Sequence, residues 1–307
     1  MTTPLKLEYE GPARLKANQL FSAALKLTPG EELRPGARVV IAFRHFSDMG
    51  DPQMSNPAAE NFISVTGPGQ WSLQAPLDGR RHPWNRGIDL KLESGNMAAG
   101  RTLTVELGDT SGGSPGYRCQ SFADERFRFR PGICRDGEED WAVPPIEECP
   151  GLRVVANAMT RLRVTVPQPT RGSGEVTVRV KPEDSYGNAA GEGPAEATVL
   201  LDDSTPAARV PLGDGRPAEA RVRVADPDSW QRLTVATDDG RFWTRSNPFG
   251  PTPLDGYRLF FGEIHSQSVL CDGTGAPAEL YAYARAAAGL DFAAVTSHDF
   301  ELTARNW

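Results

Sequence analysis

Apolar residues recur at every second position over short stretches through most of this chain. Leu162, Val164 and Val166 alternate with Arg and Thr; Val176, Val178 and Val180 do so again; Ala220, Val222 and Val224, then Leu233 and Val235, repeat the theme. Successive side chains of a strand point to opposite faces, so each run predicts a half-buried strand with one apolar side. Between the runs stand Tyr186-Gly187-Asn188, Asp214-Gly215 and Asp239-Gly240, which are turn sequences because Gly and Asn tolerate positive φ. Residues 151–250 therefore read as an immunoglobulin-like β-sandwich, a spacer or buttress by default. Residues 1–150 are less regular. Strands are predicted over 20–27, 39–46, 87–92, 102–107 and 126–130, joined by long loops over 47–60 and 110–121, and they make a second sandwich-like domain. In the last of these strands Arg126, Arg128 and Arg130 alternate with Phe127 and Phe129, as one solvated side would require. His45 and Asp48 read as surface structure.

The pattern changes after residue 256. Tyr257, Leu259, Phe260, Phe261 and Ile264 form a nearly continuous apolar run, as expected of a strand buried on both faces in a parallel sheet. The run exits at His265-Ser266-Gln267. A polar loop over 268–275 carries Asp272-Gly273-Thr274-Gly275, and Pro277 sits where the first turn of a helix tolerates a missing N–H. Leu280, Tyr281, Ala284 and Ala288 recur at helical spacing, and Gly289 ends the run as a left-handed cap would. A second apolar strand over 290–296 leads to Ser297-His298-Asp299. Strand, helix and strand of this kind form a right-handed parallel unit, which puts both histidines on one sheet edge. In parallel α/β barrels that edge is the catalytic face.

Two of the chain's 4 histidines fall in this unit, each at a strand exit and near an Asp. Neutral imidazole is a common ligand of Zn²⁺, Mn²⁺ and Fe²⁺, and carboxylates complete such spheres. His265, Asp272, His298 and Asp299 offer both donor types, and divalent ions held there would activate water for hydrolysis. Net charge is −7, from 33 basic and 40 acidic residues, with no basic tract, which argues against a nucleic-acid groove. No apolar run approaches the length of a membrane span, and the N-terminal stretch has no apolar signal-peptide core. The expectation is a cytoplasmic, reduced protein. Cys119, Cys134, Cys149 and Cys271 form no CxxC pair, so no structural zinc site is expected among them; Cys271 reads as packing under the polar loop.

The stretch FGEIHSQSVLCDGTGAPAELYAYARAAAGLDFAAVTSHD resembles the opening of a PHP (polymerase and histidinol phosphatase) domain, in which a strand, His-x-His, a Ser-Asp-Gly loop, a helix and Thr-Asp-His follow one another. The resemblance implies a distorted parallel barrel with a cluster of up to three divalent ions (Zn, Mn or Fe) and activity on a small-molecule ester or phosphoester. Carried over by position, His265, Asp272 and His298 hold metal, while Glu263 and Asp299 orient ligands or bridge ions. Gln267 stands where the second motif histidine belongs, and Ser297 where the usual Asp precedes the His. A neutral amide oxygen makes Gln267 a weaker metal ligand. Gly262-Glu263-Ile264-His265-Ser266-Gln267-Ser268 narrows the likeness to domain-of-unknown-function 3604, a bacterial family within that superfamily that places β-rich domains ahead of the barrel. Leu107-Gly108-Asp109, Gly113-Ser114-Pro115-Gly116 and Gln120 are similar to its N-terminal region. A long loop in a domain beside a barrel can wall its mouth, so residues 112–116 are a candidate substrate contact.

A (β/α) barrel needs roughly 200 or more residues to close, and residues 257–307 supply one strand–helix–strand unit. The expectation is that later ligands lie outside this sequence, that the 307 residues alone do not turn over substrate, and that the unit exposes apolar edges. The alternative is a non-catalytic binding or adhesion module of two sandwiches with a degenerate barrel remnant.

Overall fold

A computed structural model describes residues 5–74, 83–136, 141–167, 174–213, 216–251, 260–271, 273 and 275–298. The chain is mostly β and divides after Val155 into two units. In the first unit the strands are β1 (Leu5–Glu10), β2 (Arg14–Lys16), β3 (Leu20–Phe21), β4 (Ala23–Pro29), β5 (Arg38–Phe43), β6 (Ile63–Thr66) and β7 (Gln70–Leu73). They continue with β8 (Arg86–Ser94), β9 (Leu103–Leu107), β10 (Tyr117–Arg118), β11 (Asp124–Arg128), β12 (Arg130–Cys134) and β13 (Gly151–Val155). Two antiparallel sheets, β1-β4-β9-β6 and β12-β5-β8-β7, turn apolar faces onto one core. Leu25, Leu27, Leu103, Val105 and Leu107 come from the first sheet, and Val39, Ile41, Phe43, Ile88 and Leu90 from the second. Each such side chain contributes about 1.5–3 kcal/mol when fully buried.

Where the pattern departs from strict alternation, both faces are covered. Val40 and Ala42 point away from the main core but lie under Trp84 and Trp141, so β5 reads as a continuous apolar run. Asp89, opposite Val40 in the register, is buried on the same outer side and accepts from the Arg38 guanidinium. The strand expected over 126–130 is two strands. β11 pairs with β13 and β12 with β5, while Phe129 between them is fully buried. Arg130 stacks on Trp84, its guanidinium 5.1 Å from the ring centroid. Because β13 pairs with β2 and β11, the first unit runs to Val155 rather than ending at 150.

The second unit opens with β14 (Arg161–Thr165), β15 (Glu175–Glu183), β16 (Glu196–Leu200), β17 (Pro206–Pro211), β18 (Ala218–Arg223), β19 (Thr234–Thr237) and β20 (Trp243–Arg245). These form two antiparallel sheets, β14-β15-β18 and β17-β16-β19-β20, around a second core. The alternating residues named above line it, together with Ala197, Val199, Val210 and Phe249. Gly187 and Gly240 take φ +89° and +69° in the predicted turns; Asp214-Gly215 lies outside the described residues.

Two carboxylates give this unit an acid limit. Burial alone would raise the Glu183 carboxyl, but the Lys181 ammonium with Arg161 and Arg163 outweighs it and holds the group below the usual carboxylate range. Asp184 behaves likewise: burial opposes, and the Asn188 side chain with the amides of Asn157, Asn188 and Tyr186 prevails. A carboxyl depressed in the folded state stabilises fully above its ordinary value and loses that contribution as pH falls through the folded one. Hydrogen exchange in 156–251 is therefore expected to accelerate as pH drops below 4.5, after correction for intrinsic rates; rates flat from neutral pH to below 3.8 would contradict this.

The chain ends its described course with β21 (Gly262–Ser266), helix α1 (Pro277–Tyr283) continued by one π turn over Ala284–Ala288, and β22 (Phe292–Val295). Pro277 occupies the first turn, the Glu279 carboxylate accepts from the Ala276 amide at 2.8 Å, and Gly289 ends the helix at φ +69°. β21 and β22 pair in parallel, as the pattern predicts. Their burial is not that of strands covered on both faces, and the apolar exposure expected of a lone unit is present. Phe260, Phe261, Ile264 and Phe292 are 48–69% exposed, because a two-stranded sheet with one helix beside it covers neither face fully; parallel strands are buried only where helices lie on both sides. Tyr257 and Leu259 lie outside the described residues. No described helix is long and apolar enough to cross a membrane.

Candidate functional site

The parallel register places Ser266 opposite Val295, and the Thr296 amide donates to the Ser266 carbonyl at 2.8 Å. His265, within β21, and His298, just past β22, therefore reach the same edge. Between Glu263 and Ser266 the register slips by one residue. A bulge of this kind re-aims a side chain and takes an amide out of the ladder; the Glu263 carboxylate accepts from the His265 N–H at 2.8 Å and satisfies it. Glu263 thus holds the backbone that carries His265.

The two imidazoles face each other with centroids 6.2 Å apart and planes at 48°. Thr296 Oγ1 lies 3.5 Å from His265 Nδ1. Gln267 Nε2 lies 3.4 Å from His298 Nε2, and the Gln267 carbonyl oxygen accepts from the Cys271 thiol at 2.8 Å. Cys271 is buried under the loop, as expected, and also fixes the Gln267 amide. The loop closes through Val269 N–H to Gly275 C=O at 2.8 Å, with Ser268 fully buried. The structure brings His265, Gln267, His298 and Glu263 to one edge; Asp272 and Asp299 lie outside the described residues. Among the described residues no group of three or more His, Cys, Asp or Glu side chains converges as a metal-holding cluster.

Thr296 is a site residue that the expected set omits, and Asp291 braces the opposite end of the same strands. Asp291 Oδ2 accepts from the Phe261 amide at 2.8 Å while its own amide donates to the Phe261 carbonyl at 2.7 Å, locking the entry of the two strands. Spacing alone carries no signal for either, since both act through main chain or a neighbouring ring. Other sequence candidates take part in local hydrogen bonds of the first unit. The Asp48 carboxylate accepts from the Ser121 amide at 2.8 Å, the His45 amide donates to Pro83 at 2.8 Å, and residues 110–112 form a 3₁₀ turn capped by Asp109. All four cysteines are free thiols.

No protein-family model matches the chain, and no curated protein does. Among solved structures it has a likeness to a cohesin module from a Clostridium perfringens ATCC13124 family 33 glycoside hydrolase. Identity is 8% over 51% of this chain and 100% of that chain, at a TM-score of 0.30, a level of similarity that carries no argument about function.

Proposed function

We propose that the unit from residue 257 onward is the opening of a PHP-type metal-dependent hydrolase barrel, related to the domain-of-unknown-function 3604 family, which acts on a small-molecule ester or phosphoester. The observation that carries this reading is the pair of imidazoles meeting at 6.2 Å from the ends of adjacent parallel strands. The β-sandwich that precedes it in the second unit is immunoglobulin-like in this reading and serves as a spacer or buttress.

The donor set fits a divalent ion. Two ligands about 2.1 Å from one tetrahedral ion stand about 3.4 Å apart, and the Gln267 amide group lies at 3.4 Å from His298 Nε2. Its nitrogen faces the histidine, so ligation by Gln267 requires its amide to turn over, an exchange the near-identical shape of the two ends allows. His265, His298 and Gln267 would hold Zn, Mn or Fe, with Asp272 and Asp299 adding the negative charge that a neutral set lacks. A bound ion would supply Lewis-acid activation of water and of the ester oxygen. Glu263 positions His265 through its amide, and Thr296 orients the ring through Nδ1. Turning the amide over would take its oxygen from the Cys271 thiol, which would have to give up that hydrogen bond for Gln267 to ligate.

Titration with Co²⁺, followed by its visible d–d bands, tests this reading. Bands that saturate and are lost in His298→Ala support it. An unchanged spectrum through the titration would favour the binding-module alternative.

A further inference from the structure

Two charged residues of β15 are buried on the side where a sandwich strand normally meets water. Val176, Val178 and Val180 fill the core, so Lys181 and Glu183 stand at the other end of a strand whose outer side is paired, in register, with Arg161, Arg163 and Thr165. Lys181 and Glu183 are nevertheless only 5% and 2% exposed. Burying an ammonium is costly unless its donors are met, and Lys181 has three. One goes to Glu183 Oε1 at 3.1 Å and one to the Gly187 carbonyl at 3.1 Å. The third goes to the Tyr283 hydroxyl of α1 at 3.2 Å, with Nζ 5.4 Å from the Tyr283 ring centroid.

A second point of contact lies at the end of the helix. Gly289 packs so closely on β14 that a Cβ there would stand 2.6 Å from Thr165 Oγ1. Arg161, Arg163 and Lys181 all converge on the Glu183 carboxylate beneath. On its other side, α1 meets the strand that leads to His298: the Tyr281 hydroxyl accepts from the Val295 amide at 3.4 Å.

We infer that Lys181 is a positioning residue for the histidine pair. It latches Tyr283, the latch sets α1 on the outer face of β14 and β15, and α1 sets β22 and hence His298 against His265. The second unit's sandwich is then a platform for the candidate site. This goes beyond the metal reading and stands whether or not the histidines bind an ion.

The test uses the full chain without metal. Tyr283→Phe keeps the ring over Lys181 and removes the acceptor; Tyr283→Ala removes both. Tyr283 is 55% exposed, so neither change empties a core. Hydrogen exchange over 277–298 should rise several-fold in the Phe variant and about tenfold or more in the Ala variant, with 175–183 unaffected. The imidazole NMR signals of His265 and His298 should shift in Tyr283→Ala while that of His45 stays. Adding Lys181→Met to Tyr283→Ala should produce little further rise over 277–298, because both remove the same contact. Unchanged exchange over 277–298 in Tyr283→Ala, unmoved His265 and His298 signals, or fully additive effects in the double variant would each overturn the inference.

Discussion

Glu183→Ala is expected to cost the second unit about 3–5 kcal/mol, the range for removing one member of a buried ion pair. The side chain of Glu183 is 3% exposed and faces three cations: Arg161 at 2.9 Å, Arg163 at 3.1 Å and Lys181 at 3.1 Å. Exposure decides which of them matters. The arginine side chains are 51% and 58% exposed and can turn to water, so their loss is of the surface kind, about 0–1 kcal/mol each. Lys181, at 6%, cannot, and is left with a buried charge. Glu183→Gln keeps an acceptor and should fall between the two. Urea unfolding followed by exchange of peptides from 156–251 measures this as a lower midpoint at unchanged slope; a loss below about 1 kcal/mol would show that water reaches Lys181.

Phe129→Ala should cost the first unit about 3–5 kcal/mol. Its side chain is fully buried between the strands β11 and β12, stacked on Tyr9 at 5.2 Å and edge-on to Phe127 and Phe43 at 5.2 and 5.8 Å. Truncation leaves a cavity walled by rings that cannot collapse without leaving their own contacts. Phe129→Leu refills most of the volume and should cost well under half as much. Unfolding of the two variants, read in peptides from 5–155, checks the order; equal losses would mean that ring geometry, not volume, governs the site.

Strands with one apolar face were legible in the residues themselves. Val176, Val178 and Val180 need only period two, and the structure sets all three in the second core. Leu5, Leu7 and Tyr9 alternate just as strictly in β1, so that strand was equally legible, and the expected set that starts at residue 20 omits it. The Phe127 to Phe129 stretch hid a change of sheet because alternation continues across a bend. Lys181 and Glu183 were illegible for a different reason: a polar residue on an outer face reads as solvated until a distant helix is known to lie over it. At the candidate site the parallel pairing, the helix limits and the meeting of His265 with His298 followed from spacing, since a parallel crossover fixes which ends coincide. The Cys271 thiol's hold on Gln267 did not, because side-chain direction is a tertiary fact, whereas the exposure of Phe261 and Ile264 is the exposed apolar edge expected of a lone strand–helix–strand unit.

Elemental analysis of the chain purified without chelator, beside a His265→Ala/His298→Ala double variant, tests the central claim most directly. The account predicts about one or more equivalents of Zn, Mn or Fe in the parent chain and loss of that metal in the variant. Equal metal content in the two, or none in either, would contradict it.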